Sequence, residues 1–245
     1  MIEVQNLCKQ FKKLRAVQEV SFTARDGEVL GLLGANGAGK TTTLRIISAT
    51  LRPTSGTVQV GGFDVTHQPD NVRNVLGVMP ESWGVYGHLS PRDHLWFFGR
   101  LYDMSPARLE QRIEAVIKLL QMEEYANRSC EQFSKGMKQK VSLARTLLHE
   151  PGNFLLDEPT SGLDVMSARQ VREIVTRLKA EGRCVILSTH ILSEAERLCD
   201  RIVIMDRARK VAEGTVAELC QQAGKPNLEE AFVSLIGHED VEVAR

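Results

Sequence analysis

Val29-Leu30-Gly31-Leu32-Leu33-Gly34-Ala35-Asn36-Gly37-Ala38-Gly39-Lys40-Thr41-Thr42 is the stretch from which the fold can be read. Val29 to Leu33 is a short apolar run of the kind that makes a buried strand, and it breaks into a glycine-rich loop followed by a helix-like stretch from about Lys40 to Ser48. Gly34 to Thr41 fits the phosphate-cradling P-loop pattern and lies where that chemistry requires, between strand and helix. Gly34, Gly37 and Gly39 permit a turn tight enough for the amides of the loop, with Ala35, Asn36, Ala38 and Thr42, to face a β-phosphate beside the helix N-terminal dipole. Lys40 then places a cation near the β- and γ-phosphates. The Thr41 hydroxyl is suited to ligating Mg²⁺, a hard ion that prefers oxygen.

Outward from the loop, the opening residues alternate apolar and polar at Ile2, Val4, Val17, Val20 and Phe22, the period of half-buried strands. Val58-Gln59-Val60, Gly61-Gly62 and then Phe63 and Val65 predict a hairpin that continues this small antiparallel sheet. From about Pro91 to His149 the period becomes helical: Leu109, Ile113, Val116, Ile117 and Leu120 recur at helical spacing, as do Met137, Val141, Ala144 and Leu148. After Pro151, apolar strands at Phe154 to Leu156, Val185 to Leu187 and Ile202 to Met205 alternate with helices such as the one carrying Val171, Ile174, Val175 and Leu178, which predicts a parallel sheet. Thr215 and Glu218 fit a capping box, and the charged end after Gly237 is expected to fray.

The chain has 245 residues, enough to bury a substantial core, and its 42% hydrophobic and 25% charged content is ordinary for a globular protein. Lys plus Arg and Asp plus Glu balance at 31 each, and aromatics are 5%, so neither a basic field nor a stacking surface points to nucleic acid. The apolar runs fall well short of the roughly 20 residues that span a bilayer, and the Met1-Ile2-Glu3-Val4 start lacks secretory character, so a cytoplasmic location is expected. Cys8, Cys130, Cys184, Cys199 and Cys220 are scattered, without metal-ligand spacing, and read as reduced thiols.

A P-loop alone does not distinguish kinases, GTPases and helicases. Phe154-Leu155-Leu156 runs into Asp157-Glu158, which sets two carboxylates at the ligand edge of a parallel sheet. Asp157 there would help hold Mg²⁺, and Glu158 would orient or deprotonate an attacking water.

With these motifs in order, nearly the whole chain resembles the nucleotide-binding domain of ABC transporters. Phe133-Ser134-Lys135-Gly136-Met137 stands where that family carries its Leu-Ser-Gly-Gly-Gln signature. The resemblance implies that Ser134, Gly136 and Met137 face the γ-phosphate bound by an opposite subunit, at a helix N-terminus. It likewise makes Ser161-Gly162-Leu163-Asp164 the D-loop at a dimer seam, His190 the switch histidine at the γ-phosphate, and Phe11 the aromatic stacked on adenine, with Val17 in the same pocket. Departures are Lys135 and Met137 within the signature, and Glu81 where the family commonly has Gln. A carboxylate at Glu81 can still approach Mg²⁺ or water through oxygen.

The implied fold is a single α/β P-loop NTPase domain over residues 1–245. Its RecA-like parallel core would occupy about 27–81 and 150–220, with an N-terminal antiparallel β subdomain, a helical subdomain inserted at about 82–149, and a helical tail at about 221–245. The implied partners are ATP, a second ATPase subunit and an integral membrane permease, whose short cytoplasmic helix would be gripped in a groove formed by the segment from Ser82 to Tyr102 with Trp83, Tyr86, Leu89 and Trp96. The Phe-Ser-Lys-Gly-Met signature resembles ABC-2 exporter motors of the sodium-efflux kind, placing the chain on the cytoplasmic face of a membrane. A soluble ABC ATPase acting on ribosomes or DNA, and a P-loop phosphotransferase, are the competing readings; the first usually carries tandem cassettes or a coiled-coil insertion, neither of which is seen here.

Overall fold

The computed structural model describes residues 1–82 and 84–237, so Trp83 and the charged end after Gly237 lie outside the described residues. Two sheets share the first half of the chain. Strands β1 (Ile2–Phe11), β2 (Leu14–Ala24), β4 (Ser55–Val60) and β5 (Phe63–Asp64) form an antiparallel sheet in the order β2-β1-β4-β5. Gly61 and Gly62 turn the last hairpin with φ of +57° and +86°, as a two-residue turn matched to strand twist demands. Val65 lies just beyond β5, although its N–H still donates to the Val58 carbonyl at 3.1 Å.

The second sheet has the order β10-β9-β3-β8-β7-β6, built from β3 (Val29–Leu33), β6 (Leu76–Met79), β7 (Asn153–Asp157), β8 (Cys184–Thr189), β9 (Arg201–Asp206) and β10 (Arg209–Gly214). β3, β7 and β8 are buried at every residue, which is why they read as continuous apolar runs. Their alternate side chains divide two cores. Leu30, Leu32, Leu155 and Ile186 pack with the antiparallel sheet and with Leu44, Ile46 and Ile47 of helix α1 (Lys40–Ile47). Val29, Phe154, Leu156, Val185 and Leu187 pack on the other face with Ile174, Val175 and Leu178 of α6 (Val165–Ala180) and with the helical lobe.

That lobe contains α3 (Pro91–Leu101), α4 (Pro106–Leu119) and α5 (Lys135–Leu147). Ser90 and Asp93 close a reciprocal capping box on α3, with Pro91 in the first turn, where its missing N–H costs nothing. Leu109, Ile113, Val116 and Ile117 bury one stripe of α4 against Val141, Ala144 and Leu148, as their spacing predicts. The shorter helices α2 (Pro69–Val75) and α7 (Leu192–Leu198) link strands, and α8 (Val216–Ala223) and α9 (Leu228–Gly237) pack beyond β10. The Thr215–Glu218 capping box is formed at α8.

The sheet is parallel as expected from β6 across to β9, and β10, which the sequence reading did not place, adds an antiparallel edge strand by pairing with β9. Its turn is Arg207-Ala208 at φ of +43° and +70°, without the glycine or asparagine that normally announces such a hairpin.

Candidate active site

The P-loop and the ends of β7 and β8 meet at the carboxyl edge of the large sheet, where open parallel sheets bind ligands. α1 starts from Gly39 at φ +103°, and a Cβ there would stand 2.6 Å from the Ala16 carbonyl. Gly34 is fixed by close approach, since a Cβ would come within 2.3 Å of the Met205 carbonyl. The loop is thus clamped between β2 and β9, with Ala208 N–H donating to the Ala38 carbonyl at 3.2 Å.

Lys40 is buried, and its ammonium donates to the Gly34 carbonyl at 2.6 Å and the Ala35 carbonyl at 3.3 Å. The same ammonium lies 3.8 Å from Oε1 of Glu158, which is also buried. Glu158 leaves β7 at φ +48°, a conformation that costs a non-glycine residue about 1–3 kcal/mol and recurs at functional sites. Its N–H donates to the Ser188 carbonyl at 3.0 Å, which holds the bend. His190 Nδ1 lies 2.9 Å from Glu158 Oε1. An ionised carboxylate only accepts, so Nδ1 carries the proton in this contact. Glu158 Oε2 is buried with no hydrogen-bond partner among the described residues, leaving its lone pairs for a water or substrate proton.

Asp157 is set differently. Its Oδ1 accepts from the hydroxyl of Ser188 at 2.6 Å, which fixes the carboxylate while leaving its other oxygen to a ligand. Asp157, Thr41 and Glu81 line one cleft; Thr41 and Glu81 also line the adjoining 250 Å³ cleft with Asn36, Lys40, Thr42 and Glu158. Among the described residues no group of three or more His, Cys, Asp or Glu side chains could hold a metal ion. The oxygen donors that do converge, Thr41, Asp157 and Glu81, suit a hard ion that draws its remaining ligands from phosphate and water.

Other expected residues sit elsewhere. Ser134, Gly136, Met137 and Asp164 do not line the P-loop cleft. Ser134 caps α5 by accepting from Met137 N–H at 3.2 Å. Gly136 packs against the N-terminus of α6, where a Cβ would approach the Ser167 hydroxyl to 2.6 Å. Asp164 caps α6 through Met166 and Ser167 N–H groups, each at 3.0 Å, and the Ser167 hydroxyl donation holds its carboxyl below the usual range. Phe11 is exposed at the β1–β2 tip with the Lys9 ammonium 5.0 Å from its ring centroid, while Val17 is buried and lines a separate cleft beside Cys8 and Lys9. Leu14, Arg15 and Ala16 line the P-loop cleft, and sequence reasoning missed them because nothing in their spacing sets them apart from strand packing. Ser188 was also missed; a polar residue inside an otherwise apolar strand is the signal that marks it.

A strand ending in a phosphate cradle, with a buried carboxylate pair at the end of the strand one removed from it across β8, defines a P-loop nucleotide hydrolase. A sequence profile described as ABC transporter matches residues 17–161. The chain is 38% identical to the ABC transporter ATP-binding protein NatA of Bacillus subtilis over 239 residues, covering 96% of this chain and 97% of that one. It is 34% identical to the linearmycin resistance ATP-binding protein LnrL of the same organism, covering 96% of this chain and 75% of that protein. A solved ATP-binding subunit of an ABC transporter superposes with a TM-score of 0.89 at 33% identity, over 96% of this chain and 99% of the other. A dimeric ATP-binding cassette in a post-hydrolysis state bound to ADP and Pi shares the fold, with a TM-score of 0.80 at 24% identity over 88% of this chain and 98% of that one. The chain belongs to the ABC transporter family as its ATP-binding, ATP-hydrolysing component.

Proposed function

We propose that this chain is the cytoplasmic motor of an exporter, and that two copies close head to tail on ATP so that the P-loop of one faces the signature of the other. The observation that carries this reading is the union of Lys40, Glu158 and His190 at one sheet edge, while Ser134 and Gly136 present a helix tip away from that cleft. In this reading the P-loop amides and Lys40 hold the β- and γ-phosphates, Phe11 stacks on adenine, and Val17 supports the pocket beneath it. Glu158 takes a proton from water as the water oxygen attacks the γ-phosphorus and the bond to the β–γ bridging oxygen breaks, leaving ADP and phosphate. His190, whose Nδ1–H is held by Glu158, reaches the γ-phosphate through Nε2, which donates to a phosphate oxygen only in the doubly protonated ring. Thr41 and Asp157, with Glu81, would hold Mg²⁺, which when bound neutralises charge on the phosphate oxygens. Ser134 and Gly136 of the second copy, with its Asp164 at the seam, complete the site.

The membrane partner is an integral permease. No helix among the described residues is long and apolar enough to cross a membrane. Exposed Tyr86, Phe97 and Leu101 favour a docking surface on the lobe, where Tyr86 stacks on His94 and meets Phe97 edge-on. The Phe133-Ser134-Lys135-Gly136-Met137 signature, which resembles exporter motors of the sodium-efflux kind, makes sodium ion the leading cargo in this reading. Resemblance to LnrL and, at 34% identity, to the probable multidrug protein YbhF of Escherichia coli, of which this chain spans 43%, favours drugs as the first alternative for a flux assay, with lipids, polysaccharides and haem after them.

Glu158→Gln is the test of the chemistry. Steady-state hydrolysis should fall by about 10² to 10⁴, and the variant should dimerise in saturating Mg-ATP by light scattering. A loss below about tenfold would remove Glu158 from the role of general base.

A further inference from the structure

Behind the signature helix lies a second cleft, of 180 Å³, formed where α5 faces α6 and the end of α4. Its walls are mixed: Leu120 and Leu143 from the lobe stand opposite Val171 and Ile174 from α6, and Lys140, Glu173 and Arg177 also line it. Gln139 lines it too, and is 1% exposed. Neither side-chain atom of Gln139, Oε1 or Nε2, has a hydrogen-bond partner among the described residues. A buried amide lacking both bonds is costly to the fold, and its placement in a cleft with apolar neighbours makes it a polar group that a ligand can satisfy. On the rim, the Gln170 amide donates to Gln121 Oε1 at 3.1 Å, which shows how a neighbouring amide on this face is satisfied when a partner is within reach.

We propose that this cleft binds a small, uncharged amphipathic molecule that sets a carboxamide- or lactam-like edge against Gln139 and an apolar ring against Leu143, Val171 and Ile174. The size fits one ring with a polar head, since an apolar cavity of about 150 Å³ is enough to hold benzene. The donor and acceptor of Gln139 match the acceptor and donor that a neutral carboxamide edge carries side by side. Gly136 also lines this cleft and touches Ser167, so the occupant sits against the contact that places the signature tip relative to α6. The cleft is separate from the P-loop cleft, with which it shares no lining residue.

Benzamide is the probe, with toluene as the apolar control, titrated into the full chain and followed by the side-chain amide signals of glutamine in nitrogen-edited NMR. Benzamide should shift the Gln139 signals at saturation, and Gln139→Met should weaken it about tenfold while leaving toluene affinity within about twofold. Without ligand, Gln139→Met should unfold at the same or a higher temperature, because it removes unpaired polar atoms at nearly constant shape. Equal benzamide affinity in both proteins would overturn the assignment. So would a melting temperature that drops by several degrees, or a crystal structure in which bridging waters satisfy the amide and benzamide at saturation lies elsewhere.

Discussion

The P-loop edge and the signature tip are built on opposite plans. At the P-loop edge, Lys40, Asp157 and Glu158 are buried and tied to Gly34, Ser188 and His190 by bonds within the chain. At the signature tip, Ser134 is exposed and its hydroxyl bonds its own helix start, while Gly136 is pressed on α6 by the space it leaves. One region arrives with its chemistry preset, and the other is a surface whose polar groups await something outside the chain. The contrast teaches that preorganisation and exposure are divided between two elements, as a shared site requires.

The largest test of that contrast is to move the exposed half without touching the buried half. Gly136→Val would force α5 away from Ser167 by its Cβ contact, and misplacement of that order costs about 10² in rate. ATP affinity, measured by fluorescence of a bound analogue, should stay within about twofold because the P-loop is untouched. A joint fall of affinity and rate would show that the two regions are not independent.

Ser188→Ala probes the buried half. It removes the hydroxyl that donates to Asp157, a bond to a charged group whose loss is expected to cost about 1.5–3 kcal/mol, or roughly tenfold or more in hydrolysis at limiting Mg²⁺. Raising Mg²⁺ should recover part of the rate, and a rate indifferent to Mg²⁺ would deny Asp157 its assigned part.

The smallest effect lies in the lobe. His149 stacks on Tyr102 with ring centroids 3.9 Å apart, and burial pushes its pKa down to about 4 from an ordinary 6.5. The fold therefore favours the neutral ring. Above pH 6.5 neither state binds the proton and the stabilisation is complete; between pH 6.5 and 4 the unfolded chain binds it first and stability drains away, by about 2 kcal/mol at pH 5. The urea midpoint of wild type should fall relative to that of His149→Phe as pH drops through that window, while hydrolysis by the P-loop edge keeps its own pH profile.

Much of this architecture was legible in the sequence because burial and period agree. β3, β7 and β8 are apolar because both faces are covered, and Leu109 to Ile117 follow the helical stripe they bury. β10 was not legible: Arg209, Lys210 and Glu213 make a polar edge strand, and the Arg207-Ala208 turn carries no turn residue. β6 was equally obscured, since a four-residue edge strand ending at Pro80 reads as loop. In the site, Lys40 and Glu158 announced themselves through motif and register. The Ser188 bond to Asp157 and the place of Leu14 to Ala16 at the cleft depend on strands distant in sequence, and no local pattern encodes them.

Mixing two inactive variants tests the shared site most directly. Lys40→Ala disables one P-loop and Ser134→Arg one signature, so each homodimer lacks two working sites, while a mixed pair keeps one P-loop facing one intact signature. Equal mixing should restore hydrolysis to about a quarter of wild type, from random pairing of identical interfaces. A mixture as inactive as its components, or a Ser134→Arg protein that hydrolyses ATP at the wild-type rate alone, would contradict the account.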